Sequence, residues 1–304
     1  MTMALELCTL VSIDPTHELD PYLAPVFAHL RRDKPDDLMA VAEGTLDSGS
    51  AGLRGSAAIA LSSWPSESWN ARDTALLSRL LLNEDARLRE LSLPGLRPLA
   101  ECDRALAIEL ALRTEIGDSV PLARALCELF VGPFGLSLAA LDDVQVEQLL
   151  KKLEYLGNLD DSAVQIVLTQ IGTRNPSALV NMLLRRVTRA GQLGPFDYQP
   201  LPMKWMGRGI ADVSVSERGA DLLRRIRDAI LSADTWGALF VIPELFAAAS
   251  GGFGELGINV LNEWVDSGDP AKIKDAQRAH RQAHGTTSEA SPCLLEQHPE
   301  LSAR

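Results

Sequence analysis

Apolar residues along this chain recur at steps of three and four, the spacing of one helix face, and seldom at the two-residue step of a strand. Ala75, Leu76, Leu80 and Leu82 mark one such stripe, with Arg79 beside it; Leu106, Ile108, Leu110 and Leu112, although two residues apart, are read as marking the next helix. A third runs over 142–155, where Val146, Leu149, Leu150 and Leu153 share a face opposite Lys151, Lys152 and Glu154. Each predicts an amphipathic helix. Further pairs are predicted at 20–32 with 35–46 and at 161–173 with 175–189. Helices over 214–231, 235–249 and 253–266 follow, and the last begins at Pro270.

A longer period lies over this one. Leu53-Arg54, Leu88-Arg89 and Ala123-Arg124 each lead an apolar segment, and the arginines stand 35 residues apart. Six residues before them lie Ser48, Asn83 and Asp118, whose side-chain oxygens can accept from the free N–H groups of a first helical turn. A repeat of this length reads as helix, short turn, helix, a unit that buries its apolar face only by stacking on its neighbours. The pattern of capping residue, Leu-Arg and Ala/Leu-rich face, clearest over 48–130, resembles the HEAT and armadillo repeats. That resemblance implies an all-α fold: an α-solenoid of stacked antiparallel helix pairs wound as a right-handed superhelix, most often a macromolecule-binding surface. The expected organisation is an N-terminal segment over 1–19, a helical repeat domain over 20–283, and a disordered tail over 284–304.

Composition agrees with helix-on-helix packing. Hydrophobic residues make up 46% of the 304 but aromatics only 5%, so the apolar mass is Leu, Ala, Val and Ile. The formal charge of −12 repels polyanions at long range and disfavours a nucleic-acid partner, whose phosphates need a basic surface. Cys8, Cys102, Cys127 and Cys293 have no metal-ligand spacing; Cys102 and Cys127 read as small core residues. The N-terminus lacks a basic n-region and carries Glu6, and the richest apolar stretch, 236–250, is broken by Pro243 and Glu244. A cytoplasmic protein without a membrane partner is expected, and the use of only six lysines points to a GC-rich, bacterial source.

One stretch departs from the array. Residues 190–213 carry Pro195, Pro200 and Pro202 with no helical period, and are read as an irregular insertion. They concentrate Phe196, Tyr198, Met203, Lys204, Trp205, Met206 and Arg208, residue types enriched where proteins bind one another. Pinning of the loop to the helices beneath is the plainer explanation of the aromatics. Tyr198, Lys204, Trp205 and Arg208 are the contact candidates here. Arg54, Arg89 and Arg124 are candidates as a row, with pairing to acids of adjacent repeats as the plainer reading.

Little else points to chemistry. Gly252, Gly254 and Gly257 match G-x-G-x-x-G, but a helix rather than a strand is predicted before them, which removes the dinucleotide context. His280 and His284 share a helix face without the glutamate of a zinc hydrolase, and Cys293 and His298 fall in the tail. Asp36-Asp37, Asp142-Asp143 and Asp160-Asp161 open predicted helices, where the helix dipole accounts for them. Arg185, Arg186 and Arg189, with Arg224, Arg225 and Arg227, read as solvated helix faces. No cofactor, metal site or catalytic residue is expected. The leading expectation is a scaffold or adaptor that binds another protein. The alternative is a nucleic-acid-directed solenoid resembling the HEAT-like DNA glycosylases, and a regulatory or immunity-like component is a third.

Overall fold

The computed structural model describes residues 35–48, 51–62, 64, 66–132, 135–193, 198–202, 218–229, 242, 245–250 and 254–283. Among them the secondary structure is helical, with no strand. The predicted helix over 20–32, the segment 1–19 and the tail 284–304 lie outside the described residues. The chain divides into two units, 1–167 and 168–304.

The first unit contains α1 (Pro35–Ser48), α2 (Ala51–Ser62), α3 (Ala71–Leu81), α4 (Ala86–Ser92), α5 (Leu96–Cys102), α6 (Arg104–Arg113), α7 (Val120–Val131) and α8 (Asp143–Glu154). The division between units falls within α9 (Ser162–Arg174). Polar side chains fix most starts by taking up free N–H groups of the first turn. Asn70 and Asp73 form a reciprocal capping box on α3, and Asp142 and Gln145 another on α8. Asp103 caps α6 through Leu106 N, and Asn175 bonds Ala178 N at the start of α10 (Pro176–Leu193).

None of the three expected capping residues caps the helix assigned to it. The cap of α4 is Asp85, which accepts from Arg87 N and Leu88 N, while Asn83 accepts from Asp85 N in the turn before it. The cap of α7 is Ser119 rather than Asp118, because Pro121 occupies the second helical position and sets where the helix begins. Ser48 closes α1 and is not in the residue before α2. Nor is the apolar run from Leu88 to Leu96 a single helix. Pro94, which has no N–H to donate, falls in a 3-10 turn (Leu93–Gly95) that joins α4 to α5. Gly95 lies against Leu77 and Leu61, where an added Cβ would stand 3.0 Å from Leu77 Cδ1.

Alternate helices touch. α2 meets α4 and α4 meets α7; α1 meets α3, α3 meets α6 and α6 meets α8. Burial follows the same alternation. Ala57, Ser92 and Cys127, each 35 residues apart, are all buried. In the second series Leu76, Leu110 and Leu149 are buried, as are Leu77, Ala111 and Leu150. Each fully buried leucine contributes roughly 1.5–3 kcal/mol relative to exposure. Trp64 and Trp69 pack at 6.3 Å between centroids where α2 turns into α3.

The second unit holds α10, α11 (Gly219–Ala229), helical residues 245–249, α12 (Glu255–Asp266) and α13 (Pro270–Ala283). α10 touches α11, α11 touches α12, and α12 touches α13. Leu222, Leu223 and Ile226 form the buried stripe of α11. Residues 190–193, read from sequence as the start of the insertion, instead continue α10 to Leu193.

Candidate binding surface

The three register arginines sit at the same turn of α2, α4 and α7 but meet different partners. Arg124 Nε donates to Asp161 Oδ2 at 2.6 Å. Asp161 is nearly buried, its side chain 3% exposed against 57% for Arg124. Its other oxygen caps α9 by accepting from Ala163 N and Val164 N. One carboxylate therefore starts a helix and holds an arginine 37 residues upstream in sequence. Arg89 meets backbone instead: its Nη1 donates to the carbonyls of Asn83 at 2.6 Å and Glu84 at 2.9 Å. The Nε atoms of Arg89 and of Arg54 are closed to solvent and have no hydrogen-bond partner. At the corresponding turn of α9 stands Gln165, which is buried. Among the described residues, the reading in which each arginine pairs with a neighbouring acid describes Arg124.

The insertion candidates divide as well. Lys204, Trp205 and Arg208 lie outside the described residues. Tyr198 is 4% exposed and belongs to the interior of its unit. Arg186 of α10, itself fully buried, stacks over the Tyr198 ring with its guanidinium carbon 4.5 Å from the centroid. The same guanidinium donates from Nη2 to the Gln199 carbonyl at 2.6 Å and from Nε to the Pro200 carbonyl at 2.9 Å. Arg189 approaches the ring at 5.8 Å. Residues 198–202 are in this way held to α10 by a charged side chain that satisfies their carbonyls. Tyr198 is a packing residue in this arrangement.

Part of the basic clusters of α10 and α11 is likewise engaged within their unit, while Arg185 and Arg225 are exposed. Arg227, with its side chain 8% exposed, donates to the Val260 carbonyl at 2.6 Å and to Glu263 at 2.8 Å, and lies 5.0 Å over the Trp264 ring. Arg224 grips Glu263 at 2.8 Å and Asp221 at 2.9 Å. Arg225 hydrogen-bonds Asn181. The hydrogen bond from Arg224, aided by Arg227, holds the Glu263 carboxyl below its usual range.

Other sequence candidates resolve into packing. Gly254 precedes α12 and Gly257 faces Ser250, where a Cβ would come within 2.7 Å of the serine Cβ. Gly257 serves close helix approach; Gly251 and Gly252 are outside the described residues. Cys127 is buried, and burial raises its thiol pKa well above the ordinary value. Cys102 is exposed at the end of α5, contrary to its reading as a core residue, with Sγ 3.1 Å from the Ser66 carbonyl. Among the described residues no group of three or more His, Cys, Asp or Glu is placed to hold a metal ion, and no helix is long and apolar enough to cross a membrane. The side chains of His280 and His284 are outside that description.

Compared with known protein families, with curated proteins and with solved structures, the chain matches none of them.

Proposed function

We propose that this chain is a scaffold that binds another protein, built as an α-solenoid of stacked antiparallel helix pairs in a right-handed superhelix. The observation that carries this reading is the alternate contact of helices over 35–154, with α1, α3, α6 and α8 in one series and α2, α4 and α7 in the other. A stack of that kind buries its core between neighbours and repeats its outer side chains at one register. Surfaces made in this way are extended and suit a protein or peptide better than a small molecule. Lys204, Trp205 and Arg208 are proposed to add a second contact.

The nucleic-acid alternative draws less support, since Arg186 and Arg227 are buried and Arg224 is occupied by carboxylates. Neutralising phosphates needs basic side chains free to exchange counterions. The test is affinity capture from source cells on the full chain, with a Lys204→Ala/Trp205→Ala variant beside it and a low-salt gel shift in parallel. A protein retained by the parent and lost by the variant supports the scaffold with its loop contact. Retention of nucleic acid and no protein overturns it.

A further inference from the structure

Two outward helix faces carry matching charges in opposite order. Along α11 the exposed stripe runs Arg218, Asp221, Arg225, at steps of three and then four residues. The outward side of α8 runs Glu147, Lys151, Glu154, at steps of four and then three, with Lys151 exposed and both glutamates half-buried. That side lies away from the buried Val146, Leu149, Leu150 and Leu153. Laid antiparallel, the stripes set Glu154 by Arg218, Lys151 by Asp221 and Glu147 by Arg225, residue for residue. A parallel arrangement of the same signs leaves the middle pair one residue out of step. The α8 face also carries Val144, 67% exposed, and Tyr155, 43% exposed. Eleven residues make about three helical turns, so both share the side that bears the charges. Covering them removes apolar area from water.

We propose that α8 of one copy of this chain docks antiparallel on α11 of a second copy, pairing Glu147 with Arg225, Lys151 with Asp221 and Glu154 with Arg218. The alternation of sign selects the occupant. A nucleic acid carries one sign along its length and would meet Asp221 with repulsion, whereas a minus-plus-minus stripe answers plus-minus-plus at each position. The chain's charge of −12 is unevenly placed: residues 1–167 hold 26 acids against 14 basic residues, and 168–304 hold 15 of each. Two copies therefore repel least when the second unit of one meets the first unit of the other. Beyond about 8 Å what repulsion remains is screened at physiological ionic strength. The α11 stripe keeps its charges accessible. Asp221 holds Arg224 through Oδ1 and its side chain is still 74% exposed, so a lysine can reach it. Arg225 donates one N–H to Asn181 of α10, which steadies the guanidinium and leaves other donors of the fork. Arg185, exposed one turn along α10 from Asn181, adds positive charge on that side.

The contact is separate from the scaffold reading, since a second copy can associate whatever else the chain holds. The test is weight-average mass by sedimentation equilibrium on the full chain, across the micromolar range at physiological ionic strength. A mass that depends on concentration reads a second copy and nothing internal to one chain. The parent is expected to rise from monomer towards dimer or beyond, because a contact between two different faces either closes or propagates. Arg225→Glu and Glu147→Arg should each weaken association about tenfold, with helicity unchanged by circular dichroism. Both changes in one chain should restore it. An equimolar mixture of the two single variants should associate more tightly than either alone. Restoration is an outcome that damage to the fold does not produce. A parent that stays monomeric throughout overturns the proposal, including one that holds only a different protein or a nucleic acid. So does association indifferent to either single change, or a double variant as weak as the singles.

Discussion

Gly257 offers a prediction in which the size and even the sign follow from distances. A Cβ built there would lie 2.7 Å from Ser250 Cβ and 3.1 Å from Ser250 Oγ. Carbon atoms in contact prefer about 3.5–4.0 Å, so the neighbours must separate by close to 1 Å. Overpacking of that kind costs about 1–3 kcal/mol. Alanine also favours a helix interior over glycine by about 1 kcal/mol, which offsets part of the cost. Gly257→Ala should therefore destabilise α12 by about 1 kcal/mol, the middle of the resulting range. In a Ser250→Gly background the obstructing Cβ is gone, and the same Gly257→Ala change should stabilise by up to about 1 kcal/mol. Hydrogen exchange by mass spectrometry over 245–266 reads the local opening free energy of this unit without requiring the whole chain to unfold in one step. If Gly257→Ala has the same effect in both backgrounds, the glycine is not there for helix approach and the packing argument fails.

Three further outcomes are expected. Asp161→Ala should lower the stability of α9 by about 1 kcal/mol through loss of its cap, whereas Asp161→Asn keeps the cap and loses only the Arg124 pair; equal losses in urea titrations would contradict the double role. Glu263→Gln should destabilise the second unit at neutral pH. Because the folded carboxyl is held below its ordinary 4.5 by Arg224 and Arg227, the wild-type advantage persists above that value and is lost as pH falls through the folded pKa. An advantage unchanged in acid would show that the charge is not what stabilises. In maleimide labelling mapped by peptide mass, Cys102 should react in the native protein and Cys127 only on unfolding; fast native labelling of Cys127 would contradict its burial.

The helices were legible because the 3.6-residue stripe carries their position directly. The stripe over 142–155 corresponds to α8, and Pro270 opens α13. Cap positions were harder, since Asn83, Glu84 and Asp85 offer competing side chains within three residues and only chain geometry selects Asp85. Pro121 could have identified Ser119, because proline favours the first helical turn. Arg186 could also have been found, as it keeps phase with the buried Leu179, Met182 and Leu183. A cation on an apolar stripe signals an internal partner. What it grips, the carbonyls of Gln199 and Pro200, depends on how 198–202 folds back, which no local period encodes. The arginine row was visible as a spacing. That Arg124 meets the acid that caps α9 depends on which helix brings its cap alongside, a tertiary fact.

The central claim is that the chain works by holding another protein. Its most direct test is isothermal titration of the full chain with the purified protein that it retains from source cells. The account predicts saturable binding at a fixed stoichiometry. If no protein is retained, or the retained protein gives neither heat nor a complex on sizing, the scaffold reading is contradicted.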